Sequence, residues 1–179
     1  MNDNYLKCRT IHLRLAKEQD AEFIYSLRMN NKLNKHISHV TGTVEDQKLW
    51  LKAYKEKEEK NNEFYFIILR NDNENPIGTV RIYGITEDNR FCWGSWILNE
   101  DKTVSAALES AYLVYKFSFE IKQFESAYFQ VDKKNKSVIA FHLKTGAVYK
   151  SQDNISEHFE FNIDAYNDFK KKYHKLIEA

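Results

Sequence analysis

The chain has 179 residues, 42% hydrophobic and 15% aromatic, a composition that excludes a disordered or low-complexity chain and fits one globular domain over 1–179. Lys plus Arg number 27 against 26 Asp plus Glu, so the net charge of +1 leaves no cationic excess for phosphate-backbone binding and no nucleic-acid partner is expected. Met1 to Thr10 has no apolar signal-peptide core, no stretch reaches the ~20 apolar residues of a membrane span, and Cys8 and Cys92 are too few to staple a secreted domain; a cytoplasmic protein without a membrane partner is expected.

Ile11, Leu13 and Leu15 alternate with His12 and Arg14, the period-two pattern of a half-buried strand. Glu18 to Met29 switches to helical spacing through Ala21, Phe23, Ile24 and Leu27. Thr43-Val-Glu-Asp46 has the form of a helix start, and Leu49, Trp50, Ala53 and Tyr54 give the apolar face of a second helix running to about Lys60. Its charged tail, Lys55 to Lys60, reads as a solvated face. Phe64 to Arg70 and Ile77 to Tyr83 flank the turn residues Asn71 to Asn75 and predict a hairpin, with Phe91 to Leu98 completing an antiparallel meander. Gly94 inside that last strand marks a bulge, a close approach or a packing need.

Ser105 to about Ile121 is a long amphipathic helix, with Ala107, Leu108, Ala111, Tyr112, Tyr115 and Phe119 on its apolar face. Ser126 to Val131 reads as a strand, Lys136 to Thr145 as a short helix ended by Gly146, and Ala147 to Lys150 as a further strand reached by a parallel crossover. Glu157 to Phe161 is the last strand, and Ala165, Phe169, Tyr173 and Leu176 mark a C-terminal helix. Phe159, Phe161, Tyr166 and Phe169 serve either a core or a subunit interface, so the expected assembly is a monomer or a homodimer.

The resulting order, β α α β β β α β α β β α, resembles the GNAT superfamily of acyl-CoA-dependent N-acyltransferases, most closely the branch that looks like the ribosomal-protein N-terminal acetyltransferases. Leu13-Arg-Leu-Ala-Lys-Glu-Gln-Asp-Ala21 is similar to the family's first strand entering its first helix. Asn135-Lys-Ser-Val138-Ile-Ala-Phe141-His142-Leu-Lys-Thr-Gly146-Ala147 is similar to the family pattern N-x-x-A-x-x-x-Y-x-x-x-G-F that follows the fifth strand. The resemblance implies an α/β (α+β) fold, a central mixed, mostly antiparallel twisted sheet splayed between strands 4 and 5 and flanked by helices.

It also implies a chemistry: direct attack of a primary amine on the thioester of acetyl-CoA, with no covalent enzyme intermediate and no metal. The backbone of Trp96, Ile97 and Leu98 would bond the pantetheine arm like an added strand; the alternative is that Trp93, Trp96 and Ile97 are simply core and surface residues of a strand. The family's glycine-rich pyrophosphate loop corresponds here to Asn99 to Ala106, which contains no glycine. There Lys102, Thr103, Val104, Ser105 and Ala106 would act through backbone N–H groups at a helix start, one charge and two hydroxyls. Asn135 and Val138 fall in the cofactor-binding register, Asn135 also suiting a helix cap. His142 stands where the family commonly has a tyrosine general acid, and is either that acid or a satisfied structural residue.

His36, His39, Arg81 and Tyr83 are the acceptor-side candidates. Either histidine could take the incoming ammonium's proton, a solvated loop residue being the other and favoured reading, and their spacing is not a zinc signature. Arg81 suits a phosphate or carboxylate. The expected acceptor is a small-molecule amine such as a nucleotide-linked amino sugar. A protein N-terminus is the alternative acceptor, and a non-catalytic acyl-CoA-binding module is the reading from another class.

Overall fold

The computed structural model describes residues 6–35 and 41–178. Seven strands form one mixed sheet in the order β1 (Ile11–Leu15), β2 (Phe64–Arg70), β3 (Pro76–Tyr83), β4 (Arg90–Leu98), β5 (Ser126–Asp132), β7 (Ser156–Asn162) and β6 (Val148–Gln152). The helices are α1 (Ala21–Met29), α2 (Val44–Glu59), α3 (Ala106–Lys116), α4 (Lys136–Thr145) and α5 (Ile163–Ile177). This is the expected element order. A 3-10 turn, Glu18–Asp20, leads into α1, and α3 widens into a π turn, Phe117–Ile121, before the predicted helix end.

The sheet is covered on both faces in its first half, and β2 shows why. Its sequence FYFIILR is buried at six of seven positions, the near-continuous apolar run of a strand sandwiched between layers. Tyr65, Ile67 and Leu69 pack with Ile24, Leu51 and Tyr54 under α1 and α2. Phe64, Phe66 and Ile68 point the other way, into the larger core beneath α3 and α5. Phe159, Phe161, Tyr166 and Phe169 belong to that core, each at most 2% exposed, with the Phe161 ring stacked 3.9 Å from Tyr115.

Local signals work as their chemistry predicts at two helix ends. Thr43 and Asp46 form a reciprocal capping box at the start of α2, Asp46 N–H donating to the Thr43 hydroxyl and Thr43 N–H to the Asp46 carboxylate. Gly146 closes α4 with φ +110°, a region L side chains rarely adopt, and the Ala147 N–H turns back to the His142 carbonyl.

Two features of the sheet go beyond what the strand pattern specifies. β6 does not lie beside β5: β7 inserts between them and pairs antiparallel with both, so the crossover through α4 spans an intervening strand. The irregularity near Gly94 is a bulge whose left-handed residue is Ser95, φ +47°. Arg81 pairs with Gly94 but Thr79 with Ile97, one extra residue on β4, and the Thr79 hydroxyl donates to the Ser95 carbonyl at 3.1 Å.

Candidate functional site

β4 and β5 run parallel but pair only at Arg90 with Ser126 and Phe91 with Ala127, after which the strands part. β4 stays paired to β3 as far as Leu98, and β5 to β7 through Asp132. The splay therefore opens a cleft of about 640 Å³ inside the sheet, lined by Trp93, Gly94, Ser95 and Trp96 on one wall and Phe129 to Asp132 on the other, with α4 closing it through Asn135, Val138 and His142. Along this wall the β4 backbone from the bulge to Leu98 has no strand on its β5 side, so its hydrogen-bonding groups are open to an extended ligand.

Of the sequence-predicted residues, Trp96, Asn135, Val138, His142 and Tyr83 meet at this cleft. Trp96 is fixed by its indole N–H donating to the Ser110 hydroxyl at 3.0 Å, with its ring 5.4 Å from Trp93 and 5.2 Å from Phe141. Asn135 occupies the N-cap of α4, but its side chain makes no cap hydrogen bond and instead accepts from the Ser137 hydroxyl at 3.2 Å. Ile97 is buried and Leu98 partly buried, so these two offer the cleft backbone rather than side chain. His36 and His39 lie outside the described residues.

His142 is 4% exposed and walled by aromatic rings, with Phe129 at 4.4 Å, Trp93 at 5.3 Å and Phe141 at 5.6 Å. Burial pushes its pKa down to about 3, so the imidazole is neutral throughout the physiological range. Its Nδ1 is buried without a hydrogen-bond partner. A neutral ring can present one N–H as a donor. Burial therefore favours the neutral, hydrogen-bonding form of the ring over the imidazolium.

The glycine-free segment Lys102–Ala106 is held by a carboxylate inside the fold. Glu109, fully buried on α3, accepts from the Thr10 and Ile11 backbone N–H groups at 2.8 and 3.1 Å through Oε2. Its Oε1 accepts from the Thr10 hydroxyl at 2.7 Å and from the Ser105 hydroxyl. Because the Thr10 proton goes to Glu109, the 2.7 Å contact between the Thr10 and Thr103 hydroxyls has Thr103 as donor. Both hydroxyl protons of the segment thus point inward. What the start of α3 offers an anion is its free backbone N–H groups and helix dipole, with Lys102 and Val104 exposed beside them.

Arg81 sits away from the splay. It pairs with Glu63 at 2.8 Å and lies beneath the rings of Tyr83, Tyr54 and Trp50 at 4.7, 5.6 and 5.9 Å, so its charge is committed between β3 and α2. Tyr83, by contrast, borders both the main cleft and a second one of about 480 Å³ on the outer sheet face. The two clefts also share Phe129 and Gln130. Residues of β5 and the Arg90 end of β4 escaped the sequence reading, although Arg90 and Cys92 on β4 and Tyr128 and Gln130 on β5 show the alternation of one strand face.

Residues 10–148 match the acetyltransferase (GNAT) domain family. No curated protein sequence is significantly similar to the chain. Among solved structures, apo FdhC, described as a nucleotide-linked sugar GNAT, is 46% identical and superposes with a TM-score of 0.91, covering 98% of this chain and 99% of its own. Spermidine N-acetyltransferase from Vibrio cholerae, solved with CoA and spermine, is 17% identical at a TM-score of 0.75, covering 88% of this chain and 98% of its own. Ribosomal-protein-S5-alanine acetyltransferase from Vibrio fischeri is 17% identical at 0.74, covering 89% and 97%. With the family match over most of its length, its splayed mixed sheet and a relative of nearly half its sequence, the chain belongs to the GNAT acetyltransferases and is an acyl-CoA-dependent N-acetyltransferase.

Proposed function

We propose that the acceptor is the primary amine of a nucleotide-linked amino sugar. The observation that carries this reading is the 46% identity, over essentially the whole of both chains, to a protein described as a nucleotide-linked sugar GNAT. In this reading acetyl-CoA enters the splay. Its pantetheine arm bonds the open backbone of Trp96, Ile97 and Leu98 while Asn135 and Val138 flank it, and its pyrophosphate rests on the N–H groups of Thr103 to Ser105, those of Lys102 and Ala106 being donated to the Asn99 and Thr103 carbonyls. A backbone N–H beside the Ser95 bulge offers itself to the thioester oxygen.

The neutral amine attacks the thioester carbonyl carbon and the C–N bond forms; as the tetrahedral adduct collapses the C–S bond breaks, and the proton lost from the adduct nitrogen passes to the departing sulfur, so that the products are the amide and free CoA thiol. His142 serves as a neutral N–H donor that steadies the departing sulfur. Tyr83, at the junction of the two clefts, positions the sugar, and Arg81 holds Tyr83 from behind by the cation–π contact.

The test is a thiol-release assay with acetyl-CoA against nucleotide-linked amino sugars, the corresponding free amino sugars, spermidine and peptides with N-terminal Ala or Ser. Nucleotide-linked amino sugars should exceed the other acceptors in kcat/KM by roughly a hundredfold or more. Equal or faster turnover of spermidine or a peptide overturns the proposal.

A further inference from the structure

The second half of the sheet has helices on one face only. On the other face, strand alternation and register bring together Arg90 of β4, Tyr128 and Gln130 of β5, and His158 and Glu160 of β7, with Tyr128 opposite Glu160 and Gln130 opposite His158. Lys150 of β6 completes the far rim. These residues line the 480 Å³ cleft that touches the splay through Tyr83, Phe129 and Gln130, so a molecule lying in it ends against the place where the acetyl group is presented.

The charges in this cleft are unequal in their commitments. Lys150 is paired with Glu160 at 3.0 Å, and His158 with Asp153 at 2.8 Å. Arg90 forms no ion pair among the described residues. Its Nε–H donates to the Ser126 hydroxyl at 3.2 Å, and its guanidinium lies 5.2 Å over the Tyr128 ring. Tyr128 is itself fixed by its hydroxyl donating to the Gly84 carbonyl at 2.6 Å. The guanidinium plane is thus set by two contacts that leave both terminal amino groups, the fork that grips two oxygens of one phosphate, without a protein acceptor. Burial and the neighbouring Cys92 keep Tyr83 a neutral phenol beside it.

We infer that the open face of β4, β5, β7 and β6 is the acceptor cleft, and that Arg90 anchors the diphosphate of a nucleoside-diphosphate-linked amino sugar there. Gly94 at the splay is four steps along β4 from Arg90, about 13 Å at strand rise, a span closed by a hexose with its diphosphate and the extended arginine side chain. The sugar then crosses Tyr83 with its amine toward the bulge, and the nucleoside continues over β7 toward Lys150. This rests on the acceptor class proposed above.

Titration calorimetry with UDP and dTDP on the full chain tests it, using Arg90→Met and, as a gentler change, Arg90→Lys. Arg90→Met should weaken nucleoside diphosphate binding by ~10- to 100-fold, and raise KM for the nucleotide-linked acceptor alike, with acetyl-CoA affinity and kcat little altered. Arg90→Lys, which keeps the charge and loses the fork, should fall between. Nucleoside diphosphate binding that both variants retain, or that Arg90→Lys retains where Arg90→Met does not fold, overturns the anchor while leaving the acceptor class standing. No binding to the wild type, with acetylation of free amines only, overturns both.

Discussion

Replacing Glu109 with Gln tests the arrangement that holds the start of α3 against β1. The carboxylate is fully buried and takes four donors, two of them backbone N–H groups at 2.8 and 3.1 Å. In the amide, the oxygen can keep those two, but its NH2 meets the Thr10 and Ser105 hydroxyls, which must rotate from donating to accepting. The network can be rebuilt without charge. A bond to a charged acceptor exceeds a neutral one by about 1 kcal/mol, so the two backbone bonds together predict a loss of about 2 kcal/mol. For a chain of this length that lowers Tm by about 4–8 °C. Glu109→Ala, which leaves the Thr10 and Ile11 N–H groups buried without a partner, should cost about 3–5 kcal/mol. Urea unfolding followed by circular dichroism, with a shared m value, measures both. A Glu109→Gln midpoint indistinguishable from the wild type refutes the account of Glu109 as the acceptor of four bonds.

Three further outcomes are expected. Ser105→Ala removes one inward donor, so it should lower stability by about 1 kcal/mol while changing acetyl-CoA affinity in calorimetry by less than threefold; a tenfold loss of affinity without loss of stability would show the hydroxyl facing the pyrophosphate. His142 is neutral when folded, with a pKa near 3, and has an ordinary value near 6.5 when unfolded, so between these the unfolded chain binds one more proton and stability falls as pH drops. Relative to His142→Phe, the wild type should lose about 1.4 kcal/mol between pH 8 and 5.5, read from urea midpoints at the two pH values, and parallel curves would contradict the buried neutral ring. Gly78→Ala places a Cβ inside the van der Waals envelope of the Ile97 carbonyl, so it should cost about 3 kcal/mol and weaken acetyl-CoA binding by displacing β4; unchanged thermal unfolding and affinity would mean that the two strands separate freely there.

The sequence shows the fold clearly where one residue type dictates one conformation. Thr43 with Asp46 announces α2, Gly146 ends α4, and the alternation of Ile11, Leu13 and Leu15 gives β1. It is silent on where β6 lies in the sheet, because strand pairing depends on which neighbour completes the sheet: Glu157 to Phe161 suits either edge of β5, and only the assembled core selects it as the strand between. At the site, Trp96, Asn135, Val138 and His142 were legible because one helix and one strand carry them in register. Arg90 and His158, which line the second cleft, were not, since alternation places them on a strand face without saying that no helix covers it. Glu109 left a trace that periodicity alone overlooks. It lies three residues after Ala106 and four before Leu113, on the buried stripe of α3, where a carboxylate demands donors from elsewhere in the chain.

The parting of β4 and β5 has a consequence for solubility as well as for catalysis. A strand flank without a partner is a template for another strand, and at the periphery of a sheet it invites aggregation. One such peripheral flank among the described residues is at β6, which is only five residues long, exposed along its length, interrupted by an irregularity between Tyr149 and Ser151, and carries Lys150, the features that discourage edge-to-edge stacking. The flanks of β4 and β5 lie instead in the middle of the sheet, inside a cleft of about 640 Å³ closed by α4 and lined by the rings of Trp93, Trp96 and Phe129. Placing the open flank inside converts a liability into a filter: the same unmet backbone groups remain reachable, but only to a chain as thin as an unbranched amide arm.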